Sequence, residues 1–252
     1  MKNSITSNKS IYFVLGIIFI FAAWYVSSLL VNNTGIIPSI EEVFNELGII
    51  LNSETTYKIL LNTFLKILIT ILVSFVIALI LSVLSLINEK IEYFIRPTII
   101  FFKSVPIVAV VMILLILFFK QNVRYIGTMV AASFVIVPIL FEAILVGFKT
   151  IDPWIIKSTR LESKTNFFIL IKIYIPIAFP NILSGIISSF GLGLKVLVMS
   201  EVIMNPNDSI GQLIGLYSSY GELAKVFAYS ILLLVIVVII DYLLKLANKR
   251  LN

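Results

Sequence analysis

The chain contains no cysteine and no histidine, and only 13% of its 252 residues are charged. The missing cysteines exclude disulfides and thiolate chemistry, and the two absences together exclude Ser-His-Asp and Cys-His nucleophilic catalysis. They also leave a structural zinc site without its usual ligands. The scarcity of charge excludes more. With 60% hydrophobic residues and a mean hydropathy of +1.11, a soluble domain would lack the polar groups to cover its surface. Lipid must be the main solvent, and in lipid every backbone N–H and C=O has to be satisfied within the protein, so only helices or a closed barrel can span.

What is present decides between the two. Barrel strands would show segments of about ten residues with alternating polarity. Here 11–31, 67–87 and 175–194 are each uncharged runs near the roughly 20 residues that a helix needs to cross about 30 Å of hydrocarbon. The expected fold class is therefore all-α, a polytopic membrane protein with about six transmembrane helices near 11–31, 59–87, 98–119, 124–148, 181–204 and 225–246. Lys2 and Lys9 precede the first run as a signal peptide's basic region would, but the run exceeds the usual apolar core of such peptides and is read as a retained helix.

Six spans put both termini on one side, and the positive-inside rule chooses the side. With the N-terminus cytoplasmic, the inside collects Lys2, Lys9, Lys90, Arg96, Lys149, Lys157, Arg160, Lys164, Lys172, Lys245, Lys249 and Arg250. The outside receives Lys58, Lys120, Arg124 and Lys225. The formal charge of +6 is thus a topology signal, and no nucleic-acid partner is implied.

Two connections are longer than turns. The external one, 32–58, carries Pro38-Ser39 and then Glu41, Glu42 and Glu46, interleaved with Val43, Phe44 and Leu47 in a pattern that suggests a short interfacial helix. The cytoplasmic one, 149–180, opens with Asp152 as an N-cap and Pro153 at the first helical position. Nine mostly polar residues, 157–165, form an elbow. An apolar face then resumes at Phe167, Phe168, Leu170, Ile171 and Ile175, before Pro176 and Pro180 are expected to break the helix. Such a ridge on the basic side offers a surface to a cytoplasmic partner; a loop lying against headgroups is the alternative.

This loop resembles the cytoplasmic signature of binding-protein-dependent ABC permeases, in which Glu-Ala-Ala, a glycine four residues after the second alanine, and an Ile-x-Leu-Pro ending form the coupling helix. Lys157, Ser158 and Thr159 stand at the Glu-Ala-Ala places, Ser163 at the glycine, and Ile173-Tyr174-Ile175-Pro176 at the ending, with Arg160 matching a frequent residue. Further stretches are similar to the nitrate, sulfonate, taurine and thiamine-precursor subfamily. They are Ile37-Pro38-Ser39 with Val43, Arg96-Pro97 through Lys103-Ser104-Val105-Pro106 and Ala109, and Val137-Pro138-Ile139 up to Asp152-Pro153. Leu183-Ser184-Gly185-Ile186, Glu201 and Ile210-Gly211-Gln212-Leu213-Ile214 complete the set over about 36–240.

The resemblance implies a type I ABC importer permease fold, a single permease domain over 1–252 and a place in the bacterial inner membrane. It also implies three protein partners: a cytoplasmic ABC ATPase dimer, a second permease subunit, like or unlike, and an extracytoplasmic solute-binding protein. Lys157, Ser158, Thr159, Arg160, Ser163 and Lys164 become the expected ATPase-coupling residues. Serine in place of glycine predicts a wider elbow, because a left-handed turn is free for glycine and strained for serine. No Gly-rich phosphate loop with its lysine occurs, so the subunit is expected not to be an enzyme, to need no cofactor, and to rely on ATP hydrolysis in trans.

Charges inside the spans are functional candidates by default, since each costs about 2.5–3.5 kcal/mol at the bilayer centre on insertion scales. Lys103 and Glu142 either face a water-filled vestibule or pair with one another. Lys195 and Glu201 lie on the fifth helix, which the resemblance places near the translocation path. Lys66 is read as snorkelling to the outer headgroups, and Asp241 as reaching the interface beside Lys245. Trp24, Tyr25, Tyr217 and Tyr220 suit an interfacial aromatic belt. Of the other classes, a channel or secondary transporter would show internal repeats or matched broken helices, a scaffold would use the same topology without transport, and an intramembrane enzyme lacks a ligand cluster.

Overall fold

Helices account for every regular element among the described residues, which meets the backbone-pairing demand of a lipid solvent. A computed structural model describes residues 3–152, 154–155 and 169–251, with side chains from 11 to 246. In chain order the long elements are α1 (Asn3–Val31), α2 (Ile40–Leu51), α3 (Glu54–Ile87), α4 (Glu89–Ser104), α5 (Ile107–Leu117), α6 (Arg124–Lys149), α7 (Ile175–Met204), α8 (Ile210–Ser219) and α9 (Leu223–Leu251). Five helical stretches are long and apolar enough to cross a membrane, and α4 with α5 makes a sixth if a bent pair counts as one span.

That bent pair departs from the expected continuous span over 98–119. The axes of α4 and α5 differ by 92°, and the break falls at the Val105-Pro106 step. A residue preceding proline is pushed out of the helical region, and proline itself cannot donate to the carbonyl a turn earlier. Val105 accordingly sits at φ −70°, ψ 130° and Pro106 becomes the N-cap of α5. Pro97 and Pro138, by contrast, are held inside α4 and α6.

The expected break at Pro176 and Pro180 does not occur either. Leu170–Tyr174 forms a π-helical turn, with the Ile175 N–H donating to the Leu170 carbonyl, and runs directly into α7. A π turn widens the helix just where the Pro176 ring would meet the carbonyl four residues back, so the span continues from Leu170 to Met204.

The chain divides into two compact units, Met1–Tyr57 with Leu213–Leu234, and Lys58–Gln212 with Val235–Asn252. In the first, the Trp24 indole N–H donates to the Pro38 carbonyl at 3.0 Å and its ring packs 5.7 Å from Phe227. The expected interfacial helix is α2. Ser39 caps it through a reciprocal box, its hydroxyl accepting from the Glu42 N–H while the Glu42 carboxylate accepts from the Ser39 N–H. Tyr217 stacks on Tyr229 at 5.9 Å, and Lys225 lies 4.8 Å over the Tyr217 ring while pairing with Glu222.

The second unit is built on α6 against α7. Ile136, Leu140, Ile144, Phe148 and Leu197 are fully enclosed. Gly185 lets the helices close: a Cβ there would stand 2.4 Å from that of Ala143, the close approach that small residues permit in membranes. Asp241 pairs with Lys245 at 2.7 Å, one turn further along α9.

Candidate functional site

Glu201, at the end of α7, is completely buried, and an ionised carboxylate in that position needs counter-charge and donors. It has them. Lys66 Nζ on α3 donates at 2.9 Å, Thr63 Oγ1 at 3.3 Å, and the Gly211 N–H at the start of α8 at 3.2 Å. Thr63 Oγ1 in turn accepts from the Ile210 N–H at 3.1 Å. The first turn of α8 is therefore seated on α3 and α7 through two of its otherwise unpaired N–H groups. Glycine is required at 211, where a Cβ would lie 2.3 Å from the Glu201 Cβ and 2.5 Å from the Val198 carbonyl oxygen.

Lys66 is thus corrected from a snorkelling residue to the ion-pair partner of Glu201, with 13% of its side chain exposed. Its stem is long enough for either role, and the enclosed carboxylate within reach decides. The turn after α7 is held at further points. Asn205 takes a left-handed conformation, Arg124 donates to the Met204 carbonyl at 3.2 Å, and Gln121 Nε2 donates to the Asn205 carbonyl at 2.8 Å. Lys195 is exposed on α7 and makes no ion pair with the described residues.

A second set of charges joins α4 to α6. Lys103 near the end of α4 pairs with Glu142, one of the arrangements open for these residues, and both side chains stay about half exposed. At the other end of α4, Glu92 Oε1 accepts from Arg96 Nη2 at 2.8 Å and from Lys149 Nζ at 2.7 Å, and its Oε2 accepts from Lys149 at 2.8 Å. Glu92 is 7% exposed. Beside this cluster is a cleft of about 630 Å³ lined in part by Ser85, Glu89, Tyr93 and Ile151. Between the two charge sets, Ile95 and Ile99 are buried in the core with Phe141, Ile144 and Leu145.

The expected coupling residues Lys157, Ser158, Thr159, Arg160, Ser163 and Lys164 lie outside the described residues. The stems on either side are described. Asp152 accepts from the Trp154 N–H at 2.8 Å through its carboxylate, as the N-cap expectation required. Phe148 at the end of α6 meets Tyr174 of the π turn edge-on at 6.1 Å, and both are buried. The two stems are therefore fastened to each other inside the core. Among the described residues, no three His, Cys, Asp or Glu side chains gather as metal ligands would.

Residues 74–252, which include α4 to α9 and the residues between the stems, match the family described as binding-protein-dependent transport system inner membrane component. The chain belongs to that family. This permease is 26% identical over 174 residues to the "Putative aliphatic sulfonates transport permease protein SsuC" of Bacillus subtilis (strain 168). That similarity covers 69% of the chain and 61% of the relative's length. The permease's fold is also similar to the crystal structure of an amino acid ABC transporter with histidines, with a TM-score of 0.58 at 17% identity, covering 90% of this chain and 98% of the other. The expectations of an all-α fold with about six membrane-crossing helices and of this family are met. Reasoning from the sequence missed Glu92 and Lys149. The Glu92-Arg96 spacing of four was a readable helical ion pair, whereas the separation of 57 positions between Glu92 and Lys149 hid their contact.

Proposed function

We propose that this chain is the membrane-spanning permease subunit of an ATP-driven ABC importer, forming with a second permease subunit the path for a small solute delivered by an extracytoplasmic binding protein. Both termini are cytoplasmic, and 1–252 serves as one permease domain. The subunit itself is not an enzyme; a cytoplasmic ATPase dimer hydrolyses ATP and grips the segment 152–176. Arg160 and Lys164 supply charged contacts there, Ser158 and Thr159 close packing, and Lys157 and Ser163 complete the elbow. Lys103, Glu142 and Lys195 border the path, and Glu201 holds the path helix in place through α3 and α8.

The observation that supports this reading most is the family match across 74–252, which spans both stems and the elbow between them. The sulfonate relative makes a sulfonate the solute to try first, and the subfamily resemblance adds nitrate, taurine or a vitamin precursor. The test is purification of the tagged protein in mild detergent with identification of what accompanies it, for wild type and for Arg160→Glu with Ser163→Pro. An ATPase present with wild type and lost from the variant is the expected result. Wild type without an ATPase, under conditions that keep other importers intact, would overturn the reading in favour of a channel or a scaffold.

A further inference from the structure

The two ion pairs between α4 and α6 run in opposite senses. On α4 the acidic partner comes first and the basic one last, Glu92 then Lys103; on α6 the order is Glu142 then Lys149, and the helices pair antiparallel. Each cation thus meets a carboxylate in one register only. A slide that brings Lys103 toward Lys149, or Glu92 toward Glu142, sets like charges against one another, which disfavours the shifted register. The apolar seam of Ile95 and Ile99 closes the gap between the pairs.

The two ends of this arrangement meet different parts of the molecule. Lys149 is the last residue of α6 and leads into the stem at 149–152, where Ile151 is buried, as is Phe148 just before it. One residue beyond Lys103, α4 ends at the 92° bend into α5. Glu92 is the hub at the stem end: it is nearly buried and it accepts from both Arg96 and Lys149, whose own side chains are about half exposed. Removing its charge leaves two cations facing each other across the seam.

Building on the importer reading above, we propose that α4 and α6 move as one lever, kept in register by these reversed pairs. Glu92 is the positioning residue that carries displacement of the 149–152 stem to the α4–α5 bend. A lever needs a discrete contact at each end, and an ion pair is present at each. Transmission fails when the stem end is released, even though the ATPase contact surface is untouched.

The absence of native cysteine makes the test direct. Spin labels are placed through Tyr93→Cys on α4 and Val146→Cys on α6, both of them exposed positions, in the complex purified with its ATPase. Their separation is measured by pulsed electron resonance without nucleotide and after trapping with ATP and vanadate. With Glu92 present, the distance is expected to stay the same to within about 1 Å; in Glu92→Gln, trapping is expected to widen it on the order of 5 Å, one helical turn. ATP hydrolysis by Glu92→Gln is expected to persist, and the exchange Glu92→Lys with Lys149→Glu is expected to restore the fixed distance. Lys149→Met serves in place of Glu92→Gln if that variant does not assemble. A distance that changes on trapping in the protein with Glu92, or one that stays fixed in both Glu92→Gln and Lys149→Met, overturns the lever. Absence of an ATPase from the wild-type preparation overturns the importer reading first, and is seen before any label is added.

Discussion

At the scale of single residues, the Glu201 cluster is where physics and position agree most closely. Lys66→Met strands a buried carboxylate and is expected to destabilise the protein by about 3–5 kcal/mol, the usual consequence of removing one partner of a buried pair. Removing both charges, with Lys66→Met and Glu201→Leu, is expected to recover part of that loss, because neither desolvated ion remains. Calorimetric unfolding in one detergent, on all variants together, checks the order. Gly211→Ala should cost about 1–3 kcal/mol in the same assay, since its Cβ meets a backbone carbonyl that cannot step aside. Glu201 was legible in the sequence as an expensive intramembrane charge. Its partner was not, because Lys66 is 135 positions away and near a span end, where snorkelling is the local expectation. Nor did the sequence distinguish an open carboxylate from one enclosed by its partners; both are single acids in an apolar run.

At the scale of elements, the long runs of apolar residues were enough to place the spans near their observed bounds, since length and lack of charge are local properties. The proline-bearing segments were read less well. The same residue type breaks the chain at Pro106, sits inside a helix at Pro97 and Pro138, and is absorbed by a π turn before Pro176. Which of these happens depends on what packs around the freed carbonyl, and that is tertiary information. Pro106→Ala restores a donor and lets residue 105 become helical, so the α4–α5 angle should open. A shift in the distance between labels introduced at Tyr93 and Val108 would report it. For α2, Ser39→Ala removes one half of the capping box and should cost about 1 kcal/mol, again by calorimetry. That box was present in the sequence as Ser39 and Glu42, three residues apart, although only the amphipathic pattern was used.

At the scale of the whole molecule, orientation rests on the loop charges, a sum over many residues that no single contact determines. Because the chain is naturally free of cysteine, Asn45→Cys is expected to react with a membrane-impermeant thiol reagent added to intact cells, and Ser158→Cys only after permeabilisation. The opposite pattern would invert the topology and remove the elbow from any cytoplasmic ATPase. The family and the fold class were legible because spaced landmarks along the chain survive substitution in the elbow. The joining of α4 to α6 was legible only at Lys103 and Glu142, whose pairing was one of two open readings; Glu92 and Lys149 each look like ordinary interfacial charges.

The two tryptophans give this protein a built-in optical report. Trp24 is part-buried with its indole N–H bonded to Pro38, whereas Trp154, two residues beyond the Asp152 cap, is 77% exposed. In a Trp24→Phe background the remaining emission comes from the stem alone. Its wavelength should be that of an indole in water, and should move to the blue when a protein surface closes over the elbow.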